Sequence, residues 1–325
     1  MPSHRRALLV LLLLTALSVA SLGVALAAGS MALSLGELWA MLSGANDTAR
    51  TIVIDLRLPR ALAAFACGGL LALAGALMQV LLRNPLADPY VLGISGGAGV
   101  GALTAMLLGL TGLGVPSFAF AGALATIVLV FGLARNDGSS TQTPLLLTGV
   151  VVAAGCGALV ALILTLAPEQ KVHGMLFWLM GDLSQSATPL PALGVLLAAL
   201  AVALPFACEL NLLARGAEQA LALGVAVPTL RRIVYVTASL ATAAAVTTAG
   251  SIGFIGLIVP HLVRLAIGND QRLLLPAAAL AGGSLLTLAD TAARTVAAPI
   301  QLPVGVLTAL IGVPVFLYLL GRSRP

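Results

Sequence analysis

Few side chains in this sequence have the type and spacing that chemistry requires. The cysteines lie in separate apolar runs and match neither a metal site nor a disulfide framework (Cys67, Cys156 and Cys208). His261 is isolated from acidic residues, and an isolated histidine most often packs and hydrogen-bonds at a helix end. His173 has Glu169 nearby and could ligate iron, although a structural role is favoured for this histidine too. The sequence therefore predicts no catalytic residue and no metal site.

A glycine-rich stretch at residues 93–101 has a superficial likeness to nucleotide-binding fingerprints. No Lys follows it as in a P-loop, and neither a strand nor an acidic residue gives it the context of a dinucleotide site. Small residues in an apolar run instead favour close approach of helices in lipid. No Walker-type motif occurs elsewhere, so we expect this chain to bind no cofactor and to use no ATP itself.

The composition identifies lipid as the solvent for most of the chain. Of 325 residues, 60% are hydrophobic and only 8% are charged, whereas a soluble domain carries about 25% charged residues. The apolar runs are long, unlike the alternating strands of a membrane barrel. Nucleic-acid binding is rejected because the basic residues behind the net charge of +5 are scattered. We predict an all-α, polytopic membrane protein.

Ten apolar runs approach the roughly 20 residues that a membrane-spanning helix needs. They are residues 7–28, 61–82, 90–110, 115–134, 144–167, 190–208, 233–250, 252–267, 273–296 and 303–320. The eighth run is short and interrupted by Gly and Pro, so a simple straight helix is not expected there. The first run also fits a signal peptide, but it exceeds the length of a signal core, and a retained span is favoured.

The distribution of basic residues predicts the orientation through the positive-inside rule. With both termini in the cytoplasm, eleven of the sixteen Lys and Arg residues lie inside. The five outside are Arg50, Arg57, Arg60, Lys171 and Arg294. Arg57 and Arg60 are three positions apart and would share a face of a helix, and Pro59 between them suits the first turn of that helix. Snorkelling explains such cations in general, but a pair on the outer face runs against the charge bias.

Two further segments are more than connectors. Residues 209–228 form the longest cytoplasmic connection and are moderately amphipathic, which fits either a helix lying at the lipid interface or one docking on a cytoplasmic partner. Met175, Phe177 and Trp178 are expected to anchor the chain at the outer interface.

Nine stretches, in order along nearly the whole chain, together carry a family resemblance. They are LRLPR at 56–60, GALMQ at 75–79, NPLADP at 84–89, LGISGGAG at 92–99, FWLMG at 177–181, GFIGLIVPH at 253–261 with Arg264, ADTAAR at 289–294, LPVG at 302–305 and GVPVF at 312–316. The chain resembles the FecCD-type, or type II, permeases of ABC importers for vitamin B12, iron-siderophores and haem. The resemblance implies one transmembrane permease domain over residues 1–325, in the inner membrane of a bacterium.

The resemblance also implies partners. Two copies of the chain would surround a central pathway, with two ATPase subunits using ATP and Mg on the cytoplasmic side and a periplasmic substrate-binding protein on the other. The remaining neighbour is membrane lipid, and no nucleic acid is expected. Hydrolysis of ATP would take place in the separate ATPase subunits, so this chain is a transport subunit rather than an enzyme.

The resemblance assigns roles to specific residues. The outer arginines that receive acidic residues of the binding protein map onto Arg57, Arg60 and Arg294, and Asp290 lies one helical turn before Arg294, where it can hold that side chain. The cytoplasmic gate maps onto Asn84, Leu86, Gln142 and Thr143, of which the last two match the family pattern less well. The segment 218–224 has the spacing of the Glu-Ala-Ala…Gly loop of these permeases, so ATPase coupling is assigned to Arg215, Glu218, Ala220 and Gly224.

The substrate and two other classes of protein stay open at this point. Haem or a ferric siderophore is favoured as the substrate, with cobalamin as the alternative in the same family. A secondary transporter is disfavoured because ion-coupled carriers place ionisable residues within their spans, although the eighth run partly mimics their broken helices. A membrane enzyme is disfavoured because no nucleophile or acid–base pair is evident.

Overall fold

The computed structural model describes residues 4–29, 50–134, 143–184 and 188–322. Every regular element within these ranges is helical, as predicted. The helices are α1 (His4–Ala27), α2 (Leu58–Leu81), α3 (Ile94–Leu107), α4 (Gly114–Ala134), α5 (Thr143–Leu166), α6 (Glu169–Leu179), α7 (Leu190–Ala203), α8 (Ala207–Arg215), α9 (Ala217–Ala222), α10 (Val227–Ala249), α11 (Ile255–Ile267), α12 (Gln271–Thr295) and α13 (Val304–Arg322).

Each of the ten predicted runs has a helix in the described ranges. Seven helical segments are long and apolar enough to cross a membrane, and α3, α11 and most of α13 are shorter apolar helices. The helices α6, α8 and α9 fall outside the ten runs except for the start of α8, and they belong to connections. The prediction of a polytopic all-α protein is confirmed.

The helix α2 lies at the centre of the bundle. A π-helical segment, Thr51–Arg57, leads into it, and Pro59 occupies its first turn. It packs against α7, α10, α11 and α12, and from Cys67 to Leu81 every residue is buried. Glycines allow this contact: a Cβ on Gly75 would collide with the carbonyl group of Gly256 in α11, and one on Gly68 would collide with that of Gly282 in α12.

The helices α2 and α12 run antiparallel, because the start of α2 meets the last turns of α12 and the Gly68–Gly282 contact lies between. We call the end of the bundle at the start of α2 and the end of α12 the arginine end. The opposite end, where α2 stops, α12 begins and α8 and α9 lie, is the coupling end. Outside this pair, α1 packs on α12, with Ser18 Oγ 3.0 Å from Ser284 Oγ.

The eighth run does not form a straight helix of spanning length: it is a short helix preceded by a non-helical segment. The helix α10 ends at Ala249, and α11 begins only at Ile255 after a non-helical segment in which Gly250 and Phe254 both have positive φ. The buried Tyr90 hydroxyl satisfies this segment: it donates to the Ile252 carbonyl oxygen and accepts from the Ile252 N–H, both at 3.0 Å. With 13 residues, α11 is about 20 Å long and shorter than the hydrocarbon core.

The expectation that Met175, Phe177 and Trp178 anchor at an interface is wrong for two of them. Met175 is fully buried and Trp178 is 9% exposed, both within the hydrophobic core. The reason is that α6 runs into the bundle, where the Trp178 carbonyl lies against Gly250. At the other end of α6, Lys171 Nζ donates to the Leu107 carbonyl oxygen at 2.9 Å and so caps the last turn of α3.

Candidate functional site

At the arginine end, Arg60 is held by a carboxylate from another helix. Its Nε lies 3.1 and 3.0 Å from the two oxygens of Asp290 in α12, and its Nη2 lies 2.8 Å from Asp290 Oδ1. Its Nη1 donates to Gln301 Oε1 at 3.0 Å. This forked geometry is what a planar guanidinium can form and a Lys ammonium cannot. The ion pair therefore ties the first turn of α2 to α12.

Arg294 shares the same carboxylate. Its Nε lies 3.2 Å from Asp290 Oδ2, one helical turn away along α12, as expected from the sequence. Its Nη2 makes longer hydrogen bonds of 3.4 Å to the Ala25 carbonyl oxygen of α1 and to Thr291 Oγ1. The side chain of Asp290 is only 1% exposed, and those of Arg60 and Arg294 are 13% and 8% exposed. Two cations thus share one buried carboxylate.

Arg57 lies at the same end but makes different contacts. Its Nη1 donates to the carbonyl oxygens of Leu26 and Ala27, at 2.8 and 3.0 Å, where α1 ends. A cation at this position satisfies backbone acceptors that have no partner within the helix and complements the helix dipole. Arg57 is 5% exposed. The structure therefore brings the three predicted arginines to one end of the bundle and engages each in internal contacts.

Among the ion pairs that the structure describes at this end, cations outnumber carboxylates. Within the described ranges, Asp290 is the one carboxylate in ion-pair contact with Arg60 and Arg294. One of these two charges is therefore uncompensated, and Arg57 adds a further positive field close to Arg294. Such a concentration of buried positive charge attracts acidic groups from outside the chain. The sequence identified the cations and the Asp290–Arg294 pair but missed the Asp290–Arg60 pair, because the two residues are 230 positions apart.

At the coupling end, the predicted coupling residues lie at the end of α8, within α9 and just after α9. Arg215 and Glu218 are exposed, and Gly224 is exposed with a φ of 83°, whereas Ala220 is fully buried and anchors α9. Sequence reasoning missed two exposed apolar neighbours: Leu221 is 54% exposed and Leu223 is 66% exposed. Leucines that leave the bundle beside charged residues form the kind of patch that marks a protein-binding surface.

The predicted gate is described only in part. Asn84 and Leu86 are exposed in the loop after α2, where Asn84 Oδ1 accepts from the Leu86 N–H at 2.9 Å. Thr143 begins α5, but its side chain and all of Gln142 lie outside the described residues. The next carboxylate, Asp88, accepts from the Tyr90 N–H at 2.7 Å, and burial raises the pKa of this carboxyl group.

His173, which was considered as an iron ligand, packs against an aromatic ring. The ring of His173 packs against Phe177 at a centroid distance of 4.7 Å. Across the part of the chain that the structure describes, no group of three or more His, Cys, Asp or Glu residues comes together in a way that could hold a metal ion.

These features first define a class of protein: a multi-pass helical membrane protein with a cluster of arginines at one end and an exposed apolar patch at the other. The model of the FecCD transport family matches residues 8–322. The chain therefore belongs to the FecCD transport family and is the permease subunit of an ABC importer, which confirms the resemblance.

Curated relatives and a solved structure agree. The chain is 45% identical to the cobalamin import system permease of Halobacterium salinarum, covering 86% of this chain and 76% of that one. It is 42% identical to the hemin transport system permease of Yersinia pestis, covering 98% and 95%. A solved structure described as a metal-chelate type ABC transporter in an inward-facing conformation superposes with a TM-score of 0.86 at 31% identity, over 96% of this chain and 98% of that one.

Proposed function

We propose that this permease moves a bulky iron chelate, with haem as the leading candidate, from a periplasmic binding protein into the cytoplasm. Two copies of the chain would form the pathway, and two cytoplasmic ATPase subunits would supply the energy from ATP and Mg. Residues 1–325 act as one transmembrane domain in a bacterial inner membrane with both termini cytoplasmic. One observation carries the proposal. The antiparallel helices α2 and α12 connect a cluster of arginines at one end of the bundle to the coupling end at the other.

The arginine end would receive the binding protein. Arg60 and Arg294 share the single charge of Asp290, and Arg57 lies at the same end; the positive charge that Asp290 leaves over would complement acidic side chains on a docking partner. An exposed ion pair contributes only about 0–1 kcal/mol. Charge complementarity instead orients the partner and raises its association rate. In this proposal a carboxylate of the partner approaches the accessible side of Arg60 while Asp290 keeps the guanidinium in place.

The coupling end would bind the ATPase subunit. Leu221 and Leu223 supply apolar contact, and Arg215, Glu218 and Gly224 border them, while the buried Ala220 fixes the segment to the bundle. Asn84 and Leu86, together with Gln142 and Thr143, are proposed as the cytoplasmic gate. The Asn84–Leu86 hydrogen bond supports a fixed loop after α2, on which a gate residue can be held.

Haem leads among the substrates because the hemin permease of Yersinia pestis matches over nearly the full length of both chains. Cobalamin is the second candidate, since the cobalamin permease of Halobacterium salinarum has the higher identity. Both are large, flat, ring-based metal chelates. A cleft of about 540 Å³ lies beside α13 and is lined by apolar residues together with Ser251. A surface of this kind supports passage of such a molecule without tight binding to the pathway.

The uptake experiment uses the chain reconstituted in liposomes with its ATPase subunits and its substrate-binding protein. We expect ATP-dependent uptake of haem that requires the binding protein, with cobalamin and a ferric siderophore tested in parallel. Uptake of cobalamin alone would replace the leading substrate by the second. Uptake driven by an ion gradient without ATP would overturn the importer mechanism itself.

Docking is tested separately with Arg60→Gln in the assembled complex. Because a charge-assisted partner of the binding protein is removed, we expect the dissociation constant to rise about fivefold and its salt dependence to become shallower. Arg50→Gln is the matched control, since Arg50 is an exposed cation near the same helix start. Unchanged affinity and unchanged salt dependence for Arg60→Gln would refute the docking role.

A further inference from the structure

A polar contact joins α8 to the start of α12 at the coupling end. The side-chain amide of Asn211 uses both of its functions: Nδ2 donates to Asp270 Oδ1 at 3.0 Å, and Oδ1 accepts from the Gln271 N–H at 2.8 Å. We call these three residues the α8–α12 clasp. A two-sided amide contact of this kind fixes both the distance and the angle between two backbones.

Asp270 makes the α12 side of the clasp rigid. It is the N-cap of α12 and accepts from the Arg272 N–H, while the Arg272 guanidinium binds both of its oxygens at 2.7–3.2 Å. Hydrogen bonds from Arg272 and Asn211 hold the pKa of Asp270 at about 2, so the carboxylate is charged at neutral pH. Asn211 therefore donates to a carboxylate whose position is fixed by its contacts with Arg272 and with the start of α12.

Apolar contacts hold the α8 side in place. Leu210 and Leu213 flank Asn211 and are fully buried. The helix α8 ends at Arg215, and a single residue, Gly216, separates it from α9, where Ala220 is again fully buried. The proposed coupling surface at Arg215, Glu218, Leu221 and Leu223 thus follows directly from a helix that is pinned to α12.

The other end of α12 carries the arginine cluster. Asp270 caps this helix, and Asp290 lies twenty residues further along it, which corresponds to about 30 Å of α-helix. Along this length α12 packs on α2 through the Gly68–Gly282 contact, which leaves no room for the two helices to move closer together. One helix therefore connects the α8–α12 clasp with the carboxylate that holds Arg60 and Arg294.

We propose that Asn211 is a positioning residue that fixes the ATPase-coupling segment to α12. Through this contact, a displacement of α8 and α9 moves α12, which carries Arg294 and the Asp290 carboxylate that holds Arg60, and docking at these two arginines acts on the coupling segment by the same route. The inference rests on the proposed function, because it takes the coupling end as the ATPase contact and the arginine end as the docking surface.

The test compares Asn211→Asp with the exchanged pair Asn211→Asp/Asp270→Asn in the complete reconstituted complex. The single change places two carboxylates about 3 Å apart, and we expect the ratio of binding-protein-stimulated to basal ATP hydrolysis to fall at least fivefold. The exchanged pair restores one carboxylate and one amide, and Asn is as good an N-cap as Asp. It also removes the Arg272–Asp270 ion pair, but Arg272 is exposed and such a pair contributes little. We therefore expect the exchanged pair to return the ratio to within twofold of wild type. Asn269→Asp is the control, because it adds a charge at the neighbouring exposed position.

Each outcome decides between positioning and simple structural support. If Asn211→Asp does not assemble, Asn211→Ala removes both hydrogen bonds without adding charge, and a threefold or larger loss of the ratio is expected. A lowered melting temperature with an unchanged stimulation ratio would overturn the inference, as would failure of the exchanged pair to rescue. A wild-type complex without ATP-dependent uptake would instead overturn the proposed function and this inference with it.

Discussion

Asp290 is the residue on which the arginine end depends. A buried carboxylate is stable only when it is paired and hydrogen-bonded, and here Asp290 pairs with both Arg60 and Arg294. The dependence is mutual, because both arginines are largely withdrawn from water. Removing Asp290 leaves Arg60 and Arg294 without an ion-pair partner among the described residues.

We predict that Asp290→Asn destabilises the chain by about 3 kcal/mol, because breaking a buried ion pair leaves an uncompensated charge. Thermal unfolding in detergent, followed by tryptophan fluorescence, measures the effect. Asp55→Asn is the control, since Asp55 is exposed in the segment that leads into α2. Equal melting temperatures for the two variants would contradict the structural role of Asp290.

At the scale of elements, glycine determines how closely the central helices pack. Gly75 of α2 lies directly against Gly256 of α11, and both positions lack the space for a side-chain carbon. Gly194 of α7 differs, because a Cβ there would meet nothing within 4 Å. Gly75 and Gly194 both lie within helices. Replacing each by Ala therefore separates the effect of a close helix contact on stability from the effect of helix propensity.

We predict that Gly75→Ala lowers stability by about 1–3 kcal/mol, since the added methyl group forces α2 and α11 apart. Gly194→Ala is expected to be neutral, or to stabilise by about 0.5–1 kcal/mol through helix propensity. The melting temperatures of the two variants in the same detergent provide the comparison. A Gly75→Ala variant as stable as Gly194→Ala would show that the α2–α11 contact is loose.

The coupling element makes a prediction of its own. Replacing both Leu221 and Leu223 by Ala removes exposed apolar surface from α9 and the residues that follow it, and we expect affinity for the ATPase subunit to fall about tenfold. Titration of the ATPase subunit onto the chain in lipid nanodiscs measures this affinity. Leu197→Ala serves as control, because Leu197 is 67% exposed on α7, outside the coupling end. A loss of equal size in both variants would contradict a specific docking patch.

At the scale of the whole molecule, the sequence predicted the elements better than their contacts. Apolar runs of about spanning length predicted ten helices, and the Gly and Pro content of residues 252–267 predicted that one of them would not be a straight span, because these features are local. The pairing of Arg60 with Asp290, and of Asn211 with Asp270, depends on which helices become neighbours, and no local pattern contains that information. Met175 and Trp178 were misplaced for the same reason, since an aromatic-rich turn at a span end looks alike whether it enters lipid or protein.

The position of α2 has a consequence for how the protein meets its membrane. Of the most apolar 18 residues in the segment containing α2, 89% are buried, against 6% in α5 and 11% in α1. A bilayer acts only on the helices that it touches, which adapt to its thickness by tilting or by distorting the lipid. The helix α2, which joins the arginine end to the loop at Asn84, is therefore little affected by hydrophobic mismatch. A change in bilayer thickness would alter the tilt of peripheral helices such as α1 and α5 before it affects α2.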